Sequence, residues 1–152
     1  MQVHPAKIIF TSRLENAVQS NESNNSPRSV VVRGRIAEGV DGLYLLFSDT
    51  VDEAGSLDYS IKLGKNEALI QRKGILPLHQ PLTIGAVRSG QYGSPLGELP
   101  MEALARQIQS SWDAETGRGE ARLIYDLTLQ KERVGRFHMT FTFSRLDESA
   151  DF

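Results

Sequence analysis

Arg88 is the first side chain in the sequence that suggests ligand chemistry, because it extends an otherwise apolar stripe on a predicted strand over 81–89. The stripe consists of Leu82, Ile84, Ala86 and Arg88. If Arg88 points into a folded interior it needs a partner, because an isolated buried charge is very costly. Glu98 is a candidate partner. Alternatively, the guanidinium group holds an acidic group of a ligand through two parallel hydrogen bonds.

The segment QYGSPLGELP (91–100) places two glycines around a Ser-Pro pair. Pro95 fixes its own φ and keeps Ser94 extended, which predicts a tight corner over which Tyr92 can pack. A cradle for a ligand is the alternative. A phosphate-binding loop would carry a lysine and lead into a helix, and this segment lacks the lysine and ends in Pro100.

Patterns typical of catalytic and metal sites are missing from the sequence. Ser94 as a nucleophile would need a base and an orienting group, and nothing in the spacing of the histidines supplies them. The three histidines are His4, His79 and His138, and there is no cysteine. Acid–base chemistry would draw on Glu98, Glu102 or Asp126, which form no recognisable constellation. We predict no catalytic residue, no metal site and no cofactor, and enzymatic activity is the weaker hypothesis.

The charge balance and hydropathy argue against two classes of partner. The chain has 17 basic and 19 acidic residues, whereas a nucleic-acid-binding module usually has a basic excess. No apolar run approaches the length of a membrane span, and the first residues do not form a secretory signal. We therefore predict a cytoplasmic protein that binds neither nucleic acid nor membrane.

Three segments, 57–63, 121–129 and 137–143, alternate apolar and polar residues with period two. This period predicts antiparallel strands with one dry face, and Tyr125 is among the residues on that face. Turn signals recur about every eight to twelve residues, which is typical of a sandwich or barrel. The parity of the last two strands requires an odd-length turn near Gln130-Lys131 or a bulge, for which Gly135 is well placed.

Three other segments have weaker patterns. The polar segment 15–28 is predicted to be a flexible loop or a lid, and 147–152 a short acidic tail. The segment 100–112 is ambiguous between strand and helix. Its intrinsic propensities, with Met101, Leu104, Ala105 and Ile108 at helical spacing, favour a helix.

Four quoted segments resemble one family in their order and spacing. They are EGVDGLYLLFSD (38–49), LIQRKG (69–74), YGSPLGELPMEALARQI (92–108) and RLIYDLTLQKERVGRFHMTFTF (122–143). Together they resemble the YwiB-like family of uncharacterised bacterial proteins with a calycin (lipocalin-like) barrel. The resemblance implies an all-β chain and a closed or nearly closed antiparallel barrel of about eight to ten strands. It also implies that 98–112 is extended, against its helix propensity.

The resemblance also selects Arg72, which occupies the basic position of a family R-x-G segment. Arg72 and Arg88 either brace loops at the barrel rim or face an opening and hold an acidic group. The candidate ligand-binding residues are Arg72, Arg88, Tyr92, Glu98 and Tyr125.

A barrel of this size is either filled by side chains or just able to hold one small ligand. We predict one domain over 1–152 that binds a small, partly apolar or anionic ligand inside the barrel. The alternative is a module with a solid core that binds another protein or forms a homodimer through outward Ile9, Val31 and Ile124.

Overall fold

The computed structural model describes residues 2–15, 28–51 and 55–146 of the chain. These residues form ten strands and no helix. The strands are β1 (Gln2–Glu15), β2 (Arg28–Gly39), β3 (Gly42–Val51), β4 (Gly55–Leu63), β5 (Glu67–Gly74), β6 (Leu78–Thr83), β7 (Val87–Ser94), β8 (Gly97–Asp113), β9 (Arg118–Leu129) and β10 (Glu132–Arg145).

The ten strands close into a barrel in which every strand is antiparallel to both neighbours. Each strand pairs with the next along the chain, and β10 pairs with β1, where Phe141 lies opposite Phe10. Closure satisfies the backbone groups that an open sheet would leave unpaired at its edges. The prediction of an all-β, closed antiparallel barrel is confirmed, with ten strands.

The helix favoured by the propensities of 100–112 is wrong, because this segment belongs to β8. It pairs with β7 on one side and β9 on the other, and these two ladders outweigh an intrinsic preference that is weak per residue. The register of β8 shifts between Ala105 and Gln107. This bulge moves the buried positions from odd numbers, such as Met101 and Ala105, to Ile108.

The single strand predicted over 81–89 is also wrong. β6 ends at Thr83, a bridge joins Thr83 to Ala86, and β7 begins at Val87. Between them Gly85 has φ of 75°, which a glycine adopts without a steric penalty. The apolar stripe predicted to run to Arg88 is therefore interrupted by a turn, and Ile84 is exposed.

Two hairpins have the predicted form. Gln130 and Lys131, with φ of 51° and 68°, make a two-residue turn, and the register of β10 shifts between Arg133 and Gly135. Ser94 lies opposite Gly97 across the corner between β7 and β8. The hydroxyl group of Ser94 donates to the carbonyl of Gly97 at 2.9 Å and accepts from an amide in the turn at 3.1 Å. Ser94 therefore holds the corner together.

Two predicted segments lie wholly or mostly outside the described residues. The predicted loop or lid covered residues 15–28. Its end residues belong to strands, since β1 ends at Glu15 and β2 begins at Arg28, and residues 16–27 are outside the described part of the chain. The predicted acidic tail, 147–152, is outside it as well.

The interior of the barrel has two halves. Near the end that carries the β2–β3, β4–β5 and β6–β7 turns, side chains from several strands pack against one another in the interior. The fully buried aliphatic residues of this half include Ile36, Leu45, Ile61, Leu63 and Leu82. The half nearer the opposite end contains a cavity, and the packed half forms its floor.

On the outside of the barrel, Asp126 joins three neighbouring strands. Its carboxylate accepts hydrogen bonds from Nε of Arg136 on β10 at 2.7 Å and from Nε of Arg106 on β8 at 2.8 Å. The guanidinium group of Arg136, followed by that of Arg106, holds the pKa of Asp126 below its usual value. The ion pairs stabilise the charged form of Asp126 and so stabilise the folded barrel.

Replacing Asp126 with asparagine should lower the free energy of unfolding at pH 7 by about 1–2 kcal/mol. Because the folded-state pKa is lower than the unfolded one, this stabilisation is present above the unfolded value, about pH 4. It is lost as the pH falls through the folded-state pKa. Urea denaturation of the parent and of Asp126→Asn from pH 7 to pH 2 should give free energies of unfolding that converge in acid. The control Glu102→Gln, at an exposed site on β8, should have the same free energy of unfolding as the parent at pH 7. A constant gap for Asp126→Asn would contradict this role.

Candidate ligand-binding site

The open half of the barrel contains a cavity of about 410 Å³. This volume lies within the range of about 300–1,000 Å³ typical of small-molecule sites. Apolar residues of its wall include Phe10, Ile70, Leu78, Met101, Leu127, Phe137 and Met139. Ser12 of β1 and Arg28, the first residue of β2, also line it. The side chain of Arg28 is exposed, so the cavity opens to solvent. We call this space the barrel cavity.

Aromatic rings support the barrel cavity from one side. Phe10 stacks on Phe141 with ring centres 5.0 Å apart, and Phe47 stacks on Tyr59 at 4.8 Å. Gly34 permits this packing, because a Cβ atom there would lie 2.9 Å from Cβ of Phe47 and 2.3 Å from a backbone oxygen. Such stacked pairs in a dense core hold the wall residues in fixed positions.

Arg72 is the last inward residue of β5 before the mouth of the barrel cavity. Its Nε donates to the carbonyl oxygen of Leu76 at 2.6 Å. Its guanidinium carbon lies 5.9 Å from the ring centre of Tyr59 and 6.0 Å from that of Tyr92, both within cation–π range. No carboxylate of the described residues forms an ion pair with Arg72. The wall therefore carries a positioned cation without an acidic partner in that part of the chain.

The backbone next to Arg72 is itself anchored. The amide of Gly93, beside Tyr92 on β7, donates to the carbonyl of Pro77 at 2.7 Å. A Cβ atom on Gly93 would lie 2.5 Å from the Pro77 ring, so the close approach requires glycine. The β5–β6 connection thus fixes the positions of Arg72 and Tyr92 relative to each other.

Tyr125 supplies a buried hydroxyl group to the barrel cavity. The residue is 8% exposed, and its hydroxyl donates to the sulfur of Met139 at 3.6 Å. A thioether is a weak acceptor. Tyr59, Arg72 and Tyr125 line the same cavity. Burial raises the pKa of Tyr125, with a further increase from Tyr59 that Arg72 opposes. The phenol stays protonated at neutral pH and is available as a donor.

The second cation on the wall is neutralised. Nη2 of Arg28 lies 3.1 Å from Oδ2 of Asp49, whose side chain is buried. The described charged residues that line the barrel cavity are Arg28 and Arg72. With Asp49 counted, the site carries one net positive charge, and Arg72 is its source.

The structure brings three of the five predicted site residues together, namely Arg72, Tyr92 and Tyr125. Arg88 lies elsewhere, where its Nη1 donates to the Thr83 hydroxyl at 2.6 Å, and Glu98 is exposed opposite Gly93. The predicted Arg88–Glu98 pair across the corner is not formed, because Arg88 lies opposite Ala103 in the β7–β8 ladder and Glu98 lies opposite Gly93. Several cavity residues were not among the five ligand-binding residues predicted from the sequence, including Arg28, Tyr59, Met101 and Phe137. Period-two alternation predicts that Tyr59 and Phe137 face inward, whereas Arg28 gives no such signal because it is the last residue of the polar segment 15–28.

The outer surface of the barrel has weaker candidates for a protein-binding or metal-binding site. Ile9 and Val31 are cross-strand neighbours on the outside, but Ile124 lies opposite His138 and is separated from them. These residues do not make one apolar patch. Among residues 2–15, 28–51 and 55–146, no group of His, Asp and Glu is arranged to hold a metal ion. The same residues include no helix long and apolar enough to cross a membrane.

The described residues define the class of protein as a closed ten-stranded antiparallel barrel with an interior cavity. Over residues 13–141 the chain matches the family described as "Domain of unknown function (DUF1934)", and it belongs to that family. This membership confirms the family resemblance inferred from the sequence.

Among solved structures, the chain is similar to the crystal structure of the ywiB protein from Bacillus subtilis. The TM-score is 0.77 at 22% sequence identity, and the alignment covers 97% of this chain and 95% of that one. Similarity at this level of identity shows the shared fold alone. The search of curated proteins found no match to this chain.

Proposed function

We propose that this protein binds a small, predominantly apolar molecule inside the barrel cavity. The observation that supports the proposal is the division of the interior into a packed half and an open half. Side chains that could fill the open half instead surround a space of about 410 Å³ that reaches the surface. Enclosing an apolar ligand there removes apolar surface of both partners from water, which is favourable by about 25 cal/mol per Å².

Two further features of the site support a binding role. The wall contains Met101 and Met139, whose flexible, polarisable side chains adapt to the shape of a ligand. The aromatic support beneath the wall is rigid, so that less conformational freedom is lost when a ligand binds. In this proposal the ligand enters the barrel cavity at the mouth near Arg72. Its apolar part then contacts the packed half of the interior, which forms the floor of the cavity.

Isothermal titration calorimetry with the neutral probe 4-phenyl-1-butanol tests the proposal. We expect saturable binding at one site per chain. Replacing both Ile70 and Met101 with phenylalanine narrows the barrel cavity and should weaken binding by about tenfold, roughly 1.4 kcal/mol. Val31→Phe, on the exposed outer face, is the matched control and should bind like the parent. Absence of saturable binding to the parent protein would contradict the proposal.

A further inference from the structure

We infer that the ligand of the barrel cavity is a monocarboxylic acid whose carboxylate is held by the two terminal nitrogens of Arg72, with its apolar body in the cavity. This inference rests on the proposed function and adds the chemical class of the ligand. It depends on three observations, which are the hydrogen bonding of Arg72, the charge of the wall, and the hydroxyl group of Tyr125.

The hydrogen bonding of Arg72 leaves one edge of its guanidinium group available. An arginine has five N–H donors, and the one on Nε is used by the Leu76 carbonyl at 2.6 Å. The four N–H groups on Nη1 and Nη2 have no hydrogen-bond acceptor among the described residues. Two parallel N–H groups at this end match the two oxygens of a planar carboxylate. The rings of Tyr59 and Tyr92 hold the guanidinium in place, so this fork is already oriented.

The charge of the wall selects a ligand with one negative charge. Arg72 contributes one positive charge, and the charge of Arg28 is neutralised by Asp49 at 3.1 Å. One carboxylate therefore balances the site. A dicarboxylate or a phosphate dianion would bring a second negative charge into a largely apolar space with no cation to pair with it, which is costly.

Tyr125 provides a second polar contact. Its buried hydroxyl donates to a weak acceptor, the sulfur of Met139, and can exchange it for a carboxylate oxygen at little cost. A hydrogen bond from a phenol to a charged oxygen is stronger than one to a neutral group. We assign Arg72 to the charge of the ligand and Tyr125 to the orientation of its headgroup.

Three probes of similar size separate this inference from the proposed function in calorimetric titrations at pH 7.5. They are 4-phenylbutyrate, the neutral 4-phenyl-1-butanol and the dianion benzylsuccinate. The parent protein should bind 4-phenylbutyrate at least about tenfold more tightly than either of the others. Arg72→Met should remove this advantage, so that the acid binds to the variant no more tightly than the alcohol does. Tyr125→Phe should weaken binding of the acid by about three- to fivefold.

The matched control is Arg88→Met, which removes an arginine outside the barrel cavity and should leave all three affinities unchanged. Binding of the alcohol to Arg72→Met also shows that the variant is folded. Equal affinities of the parent for acid and alcohol, or unchanged acid binding in Arg72→Met, would overturn the inference and leave the proposed function standing. Tighter binding of benzylsuccinate would overturn the single-charge argument, and no binding of any probe would overturn both proposals.

Discussion

Replacing Phe141 with alanine is expected to lower the free energy of unfolding by about 3–5 kcal/mol. Phe141 is completely buried on β10, and its ring stacks on Phe10 of β1 at 5.0 Å and lies 6.3 Å from that of Phe47. It thus packs across the seam at which the last strand closes onto the first. Removing the ring loses the favourable free energy of transferring it from water into the core. It also leaves a void, because the surrounding strands are hydrogen-bonded on both sides and cannot move in to fill it.

Urea denaturation of the parent and of Phe141→Ala measures this effect directly. Thr142→Ala changes the neighbouring residue, whose side chain is exposed on the outer face, and should shift the free energy of unfolding by less than about 0.5 kcal/mol. If Phe141→Ala and Thr142→Ala had similar effects, the aromatic contacts across the β1–β10 seam would not carry the stability assigned to them.

Replacing Arg72 with glutamate is expected to reverse the charge preference of the barrel cavity. The affinity for 4-phenylbutyrate should fall by about 100-fold, roughly 2.7 kcal/mol, because a charged hydrogen bond is lost and two carboxylates face each other. The affinity for the cation 4-phenylbutylamine should rise above that of the parent protein. Loss of the Arg72–Leu76 hydrogen bond should cost about 1 kcal/mol of stability, which leaves the barrel folded.

Arg88→Glu is the matched control, since it makes the same change of charge where the side chain contacts Thr83 instead of the barrel cavity. It should bind both probes as the parent does. Calorimetry with the two probes on the three proteins gives the comparison. A parallel loss of acid binding in Arg88→Glu would mean that net charge of the chain, and not the position of Arg72, controls ligand preference.

Much of the fold could be predicted because several strands have one dry face and one wet face. In such strands apolar and polar residues alternate, so the residues that face the barrel interior can be identified from the sequence. Ile61, Leu123 and Phe141 are buried inside the barrel, as this alternation predicts. The secondary structure of β8 was harder to predict, because its bulge gives the buried residues Met101, Ala105 and Ile108 the spacing of one face of a helix. A bulge adds one residue to one strand, and that shift is visible only in the pairing with its neighbour.

The candidate site could be predicted in part. Tyr125 followed from alternation, and Arg72 followed from family resemblance, since a cation at the end of a strand has no periodic signal of its own. Arg88 was selected from an apolar stripe that the turn at Gly85 interrupts. Glu98 was paired with it across the corner, but the β7–β8 register places Arg88 opposite Ala103 and Glu98 opposite Gly93. Whether an inward position borders a cavity or packed side chains depends on contacts among strands far apart in sequence. Local patterns do not contain that information, and the ligand-binding role of all five residues stays a prediction.

Entry of a ligand into the open half of the barrel can be measured at the methionines of its wall. The chain has three methionines, of which Met101 and Met139 line the barrel cavity and Met1 lies outside the described residues. Nuclear magnetic resonance of protein carrying 13C-methyl methionine, titrated with 4-phenylbutyrate, reports on both wall positions at once. We predict that the signals of Met101 and Met139 shift saturably together. Saturable binding measured by calorimetry with both wall signals unmoved would contradict entry of the ligand into the barrel cavity.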